Sequence, residues 1–111
     1  MIIKQLLDYL TENLEGIYVG VIAPEQMTDY VLIDQTGSSR TNHIITTTVA
    51  IQSYGFTPYG AMLLNERVKA VMDGFLEADN VTRVSLETDY NFTNTATKQY
   101  RWQAVYQITH Y

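Results

Sequence analysis

The side chains of this chain that are equipped for chemistry fall into four groups. Gly37-Ser38-Ser39-Arg40 places two hydroxyls beside a cation. A serine becomes a nucleophile only when a base lies against it in space, and glycine with serine otherwise makes a solvated turn. Glu87 and Asp89 flank Thr88, so on a strand the two carboxylates share one face. There they would bind a cation or share a proton, or stand solvated as most acids do. His43 and His110 are the only histidines, both at expected strand ends, whereas zinc needs three or four ligands at one point. Arg40, Arg83, Lys98 and Arg101 interleave with Tyr90, Tyr100 and Trp102, the outline of a base-stacking platform on a sheet.

Nothing around these groups completes a reaction site. The chain has no Gly-x-Ser-x-Gly elbow, no Gly-x-x-x-x-Gly-Lys phosphate loop and no His-Glu-x-x-His pair. Cysteine is absent, which removes disulfides, thiolate catalysis and cysteine-ligated zinc together. Twelve acids against seven bases give a formal charge of −5. That balance opposes the counterion-release affinity on which non-specific nucleic-acid binding depends. The expectation is therefore a protein that is not an enzyme, with no catalytic residue, no cofactor, no metal site and no specific nucleic-acid partner. Met1-Ile2-Ile3-Lys4 opens an apolar-periodic segment that Asp8 and Glu12 interrupt, so neither a secretory signal nor a membrane span is expected there, and no membrane partner.

The elements that would position these groups follow from periodicity. At 111 residues, with 46% hydrophobic and 17% charged content, the chain reads as one globular domain, 1–111. Ile3, Leu6, Leu7, Leu10 and Leu14 predict a helix over about 2–15, stopped by Gly16. Ile17, Val19 and Val21 alternate as a short strand, with a loop from Pro24 to Asp29. Tyr30-Val31-Leu32-Ile33 reads as a central strand covered on both faces. The stretch 36–42 then reads as a seven-residue loop, longer than a tight hairpin needs. In the next strand His43, Ile45, Thr47, Val49 and Ile51 suit a core, and Ile44, Thr46, Thr48, Ala50 and Gln52 suit water or a partner.

Thr57-Pro58 opens a second helix whose stripe is Ala61, Leu64, Val68, Val71, Met72 and Phe75, ending by Asp79-Asn80. Val84, Leu86, Thr88, Tyr90 and Phe92 alternate as a fourth strand. Tyr100, Trp102, Ala104, Tyr106 and Ile108 form the apolar side of a fifth, after a polar turn from Asn91 to Lys98. The order is α-β-β-β-α-β-β, an α+β domain with a mostly antiparallel sheet and two helices packed on one face. Nine tyrosines, most of them after residue 40, fit a half-buried sheet. They also fit a sheet face used for contacts.

A leucine-rich first helix, a strand Tyr30-Val31-Leu32-Ile33-Asp34, the turn Thr36-Gly37-Ser38-Ser39-Arg40 and a strand ending in Ser53-Tyr54-Gly55 stand in series. An Ala/Leu/Val helix and two last strands follow. This layout resembles the tail-terminator (tail-completion) proteins of long-tailed bacteriophages and prophages, over almost the whole chain. Relatives often have paired glycines where this chain has Gly37-Ser38, and a tryptophan or cysteine where it has Tyr54.

The resemblance implies a minor tail protein that assembles in the bacterial host cytoplasm and resides in the virion tail. It implies a homo-oligomeric ring, a hexamer, that caps the head-proximal end of the tail tube, stops its polymerisation and offers a head-joining surface. Its partners would be copies of itself, the major tail tube protein and a head-completion protein. The loop Gly37, Ser38, Ser39 and Arg40 would be a subunit or tube contact, the alternative being a mobile solvated loop. An acidic lumen would let DNA pass without sticking. A head-completion or neck connector is the alternative within the virion. A small α+β enzyme or nucleic-acid-binding module is the alternative outside it.

Overall fold

A computed structural model describes residues 2–24, 29–94, 96 and 99–111. Its elements are α1 (Ile2–Asn13), β1 (Tyr18–Gly20), β2 (Tyr30–Thr41), β3 (Ile44–Gly55), α2 (Pro58–Met72), a 3-10 turn (Phe75–Glu77), β4 (Val81–Asn91) and β5 (Tyr100–His110). The five strands make one sheet in the order β1-β2-β3-β5-β4. Only the β1–β2 pairing is parallel; the rest are antiparallel. This is the α+β class and element order expected, with both helices on one face of the sheet.

Each element has a local cause. Leu6, Leu10 and Leu14 recur along one side of the first helical segment and are buried. Gly16, at φ +79°, supplies the left-handed turn that ends it. Thr57 caps α2 with its hydroxyl 2.9 Å from the Gly60 N–H, and Pro58 takes the first-turn position whose N–H is not needed. The core lies between these helices and the sheet. Leu6, Leu10, Leu64, Val68, Met72 and Phe75 meet Val31, Ile33, Val49, Ile51, Ala104 and Ile108. Each fully buried aliphatic side chain there stabilises the fold by about 2 kcal/mol. Gly55 ends β3 directly against the backbone of Ala61, which lets the first turn of α2 close on the sheet.

Three expectations need correction. The second helix ends at Met72, so Phe75, expected on its stripe, belongs instead to the following 3-10 turn. The Val71 carbonyl is taken by the Tyr9 hydroxyl at 2.6 Å and by the Gly74 N–H at 3.1 Å, which closes the last turn early. The stretch 36–42 is no loop, because β2 runs on to Thr41 and pairs with β3 residue by residue. The turn is Asn42-His43 alone, at φ 51° and 68°. Two successive positive φ values are the type I′ geometry that matches strand twist, so His43 sits exposed in the turn and not on the core face of β3. The fourth strand does not alternate without a break, since it shifts register between Val81 and Arg83 and again between Leu86 and Thr88. The second bulge puts Val84 and Leu86 on the helix side but Thr88 and Tyr90 on the other. Residues 25–28, within the expected Pro24–Asp29 loop, lie outside the described residues.

Candidate functional site

The residues singled out by chemistry are dispersed. Gly37, Ser38, Ser39 and Arg40 all lie in the distal half of β2, exposed, opposite Thr48, Thr47, Thr46 and Ile45. Among the described residues neither serine hydroxyl makes a side-chain hydrogen bond. The nearby Thr36 hydroxyl donates to the Thr48 carbonyl at 3.4 Å. His43 is in the turn, whereas His110 is buried and its Nε2 lies 2.8 Å from Oγ1 of Thr47. Among the described residues no three histidines and carboxylates are grouped closely enough to hold a metal ion.

The bulge between Leu86 and Thr88 also separates the two carboxylates. Glu87 accepts from the Ser85 hydroxyl at 3.3 Å. Asp89 turns beneath α2, where its Oδ2 accepts from Nδ2 of Asn65 at 3.0 Å and from Nζ of Lys69 at 2.9 Å. Asn65 is fully buried and continues the apolar stripe of the helix. Sequence reasoning missed it, because an asparagine at a core position is legible only once its partner is known. Lys69 is also 2.8 Å from Glu66, and these two carboxylates raise its pKa, Glu66 most.

Of the basic and aromatic set, Lys98 lies outside the described residues. Arg101 and Trp102 point to opposite sides of β5, so no single stacking surface unites them. Instead Arg101 joins a network on the helix-free face. Its Nε donates to the Phe92 carbonyl at 2.7 Å and its Nη1 to the Tyr54 hydroxyl at 3.0 Å. The guanidinium lies 4.3 Å from the centre of the Phe92 ring. Tyr54 stacks on Tyr30 at 4.5 Å and donates to Gln52, which donates to Gln103, which donates to Tyr90. The guanidinium is thus turned inward onto this chain's own rings and carbonyls, which rigidifies the face.

Among the open surfaces of the described residues, two lie at the edges of the sheet. One is the distal half of β2, Asp34–Thr41, exposed on both faces. β1 pairs only with Tyr30–Leu32, so among the described residues no strand covers the outer edge of the distal half. The other is a groove of about 380 Å³ between α2 and β4. Its apolar wall includes Leu76 and Leu86, 50% and 42% exposed, and its rim carries Glu66 and Asp73. Tyr106 closes the floor. Burial, reinforced by the Asp73 carboxylate, pushes its phenol up to about 12. The start of α2 adds an apolar patch, with Phe56 and Tyr59 72% and 65% exposed. Among the described residues no helix is long and apolar enough to cross a membrane. Compared with known proteins, the chain matches no protein-family model and no curated protein.

Proposed function

We propose that the chain is a structural subunit of a phage tail, a ring-forming tail-terminator protein that caps the head-proximal end of the tube and offers a surface to the head. The observation that carries this is the distal half of β2. Eight successive residues, Asp34–Thr41, are exposed on both faces, with an outer edge that no strand covers among the described residues. Long open edges are usually blocked by lysine, proline or a bulge, because they recruit further strands. This edge carries no lysine and no proline; its devices are the charges Asp34 and Arg40 and one register shift at Gln35/Gly37, which leave Gly37–Ser39 as an uncharged stretch open to another chain. The resemblance of the Thr36–Arg40 segment and its neighbours to tail terminators supplies the partner class. The Phe56–Tyr59 patch at the start of α2 offers a second, apolar surface for a protein stacked on the ring.

The test is assembly on tubes. Purified chain added to polymerising tail tube protein should stop growth and appear as a cap at one end by electron microscopy, with native mass spectrometry giving one discrete oligomer. A phage lacking the gene should make tails of uncontrolled length that fail to join heads. Attachment to filled, tailless heads instead of tubes would reassign the chain to the neck.

A further inference from the structure

The groove between α2 and β4 carries a charge imbalance that its own residues do not cancel. Glu66 and Asp73 stand on its rim, and Asp89 is held across the gap. Among the described residues Lys69 is the one cation lining it, and its ammonium is already taken, at 2.8 Å by Glu66 and at 2.9 Å by Asp89. Asp73 makes no ion pair among the described residues. It is also the C-cap of α2, where the helix dipole leaves a partial negative charge of about half a unit. The field reaches the floor. After burial, Asp73, Asp89 and Glu66 all push the Tyr106 phenol up, and only Lys69 opposes them.

The shape of the groove selects among cations. Glu66 and Asp73 are separated by about 10 Å along the helix axis, so they do not converge on one point as the ligands of a bare metal ion must. The rest of the wall is apolar at Leu76, Val84 and Leu86. An arginine side chain answers both features. Its methylenes cover apolar surface, and its guanidinium turns several N–H donors towards carboxylates.

The strand beside the groove can deliver such a side chain. β4 is an edge of the sheet, and among the described residues no strand pairs with its outer side. Its bulges at Val81/Arg83 and Leu86/Thr88 leave Arg83–Leu86 as the regular stretch. Val84 and Leu86 of that stretch line the groove, whereas Ser85 faces the helix-free side. A residue brought opposite Leu86 by an added strand would share its face, with Cβ atoms about 5 Å apart. Its neighbours in sequence would fall on the helix-free side beside Ser85.

We propose that the β4 edge takes up a short extended segment of a partner protein, antiparallel to Arg83–Leu86, with an arginine opposite Leu86 whose guanidinium lies against Glu66 and Asp73. Antiparallel is the better-bonded of the two arrangements. The segment carries an apolar residue opposite Val84 and polar residues at the alternate positions. Main-chain pairing supplies affinity and the groove supplies specificity. The contact goes beyond the terminator reading and does not rest on it, since nothing in it requires a ring.

The probe is the peptide acetyl-Thr-Arg-Thr-Val-Thr-amide, titrated into isotope-labelled chain and followed by NMR. Amide shifts should centre on Arg83–Leu86 and the last turns of α2. Citrulline in place of arginine keeps the shape and removes the charge, and should weaken binding about tenfold. Glu66→Gln combined with Asp73→Asn should cost the arginine peptide the same factor and leave the citrulline peptide unchanged. Glu12→Gln, on α1, should change neither, and the spectra themselves report whether each variant folds. A fully N-methylated peptide, which has no donors for an edge strand, should not bind. No shifts, shifts centred elsewhere, an unaffected citrulline peptide, or equal binding by acetyl-arginine-amide alone would overturn the proposal. A peptide affinity that falls as the chain is concentrated would hand the groove to a second copy and overturn the assignment to a partner.

Discussion

At the scale of single residues, the close approach of β3 to α2 is the sharpest constraint. A Cβ at Gly55 would fall against the backbone nitrogen of Ala61, which no rotamer change relieves. Gly55→Ala should therefore destabilise the fold by about 2–3 kcal/mol, read as a drop in the urea midpoint at unchanged slope. Asn65 is the other residue whose role depends on a single neighbour. Its Nδ2 is satisfied by Asp89 while its buried Oδ1 has no partner among the described residues. An amide left half-satisfied inside a helix–sheet interface costs stability. Its retention there fits a residue that fixes how β4 sits beneath α2.

Among the elements, the β2–β3 hairpin departs most from expectation and invites the most direct test. His43 adopts φ 68° in a type I′ turn, a conformation that glycine takes without strain. His43→Gly should raise stability by about 0.5–1 kcal/mol, seen as a higher melting temperature; a neutral or negative effect would mean that the turn is not formed in solution. The hairpin also shows where sequence reasoning stops. Helix starts, the N-cap at Thr57 and the buried faces of β3 and β5 were legible because period and capping chemistry are local. The stretch Thr36–Asn42 reads as a loop because its side chains are small and polar; its strand character comes from pairing with Thr46–Thr48, which composition does not reveal. For the same reason the groove between α2 and β4 was not legible. That groove is assembled from α2, β4 and β5, with Lys69 and Asp89 held across the gap.

For the molecule as a whole, alkaline pH probes the groove. The Tyr106 phenol, raised first by burial and then by Asp73, stays protonated up to about 12 in the folded chain. An unfolded tyrosine ionises near about 10. Between those values the folded state holds more protons, so this contribution is complete below the lower pKa and is lost as pH rises through the upper one. Lys69, also raised, acts in the same direction. The urea midpoint should fall on going from about pH 9 to about pH 11.5, and by less in Tyr106→Phe, the difference being on the order of 1 kcal/mol. The strand order carries one more consequence. β5 follows the other four strands in the sequence yet lies between β3 and β4. While the chain emerges from the ribosome, β4 has no neighbour and β3 has a bare flank until this segment is translated and inserted. The sheet is therefore completed only by the last strand to be made, and a polypeptide broken off before Tyr100 presents bare flanks prone to pairing with any strand nearby.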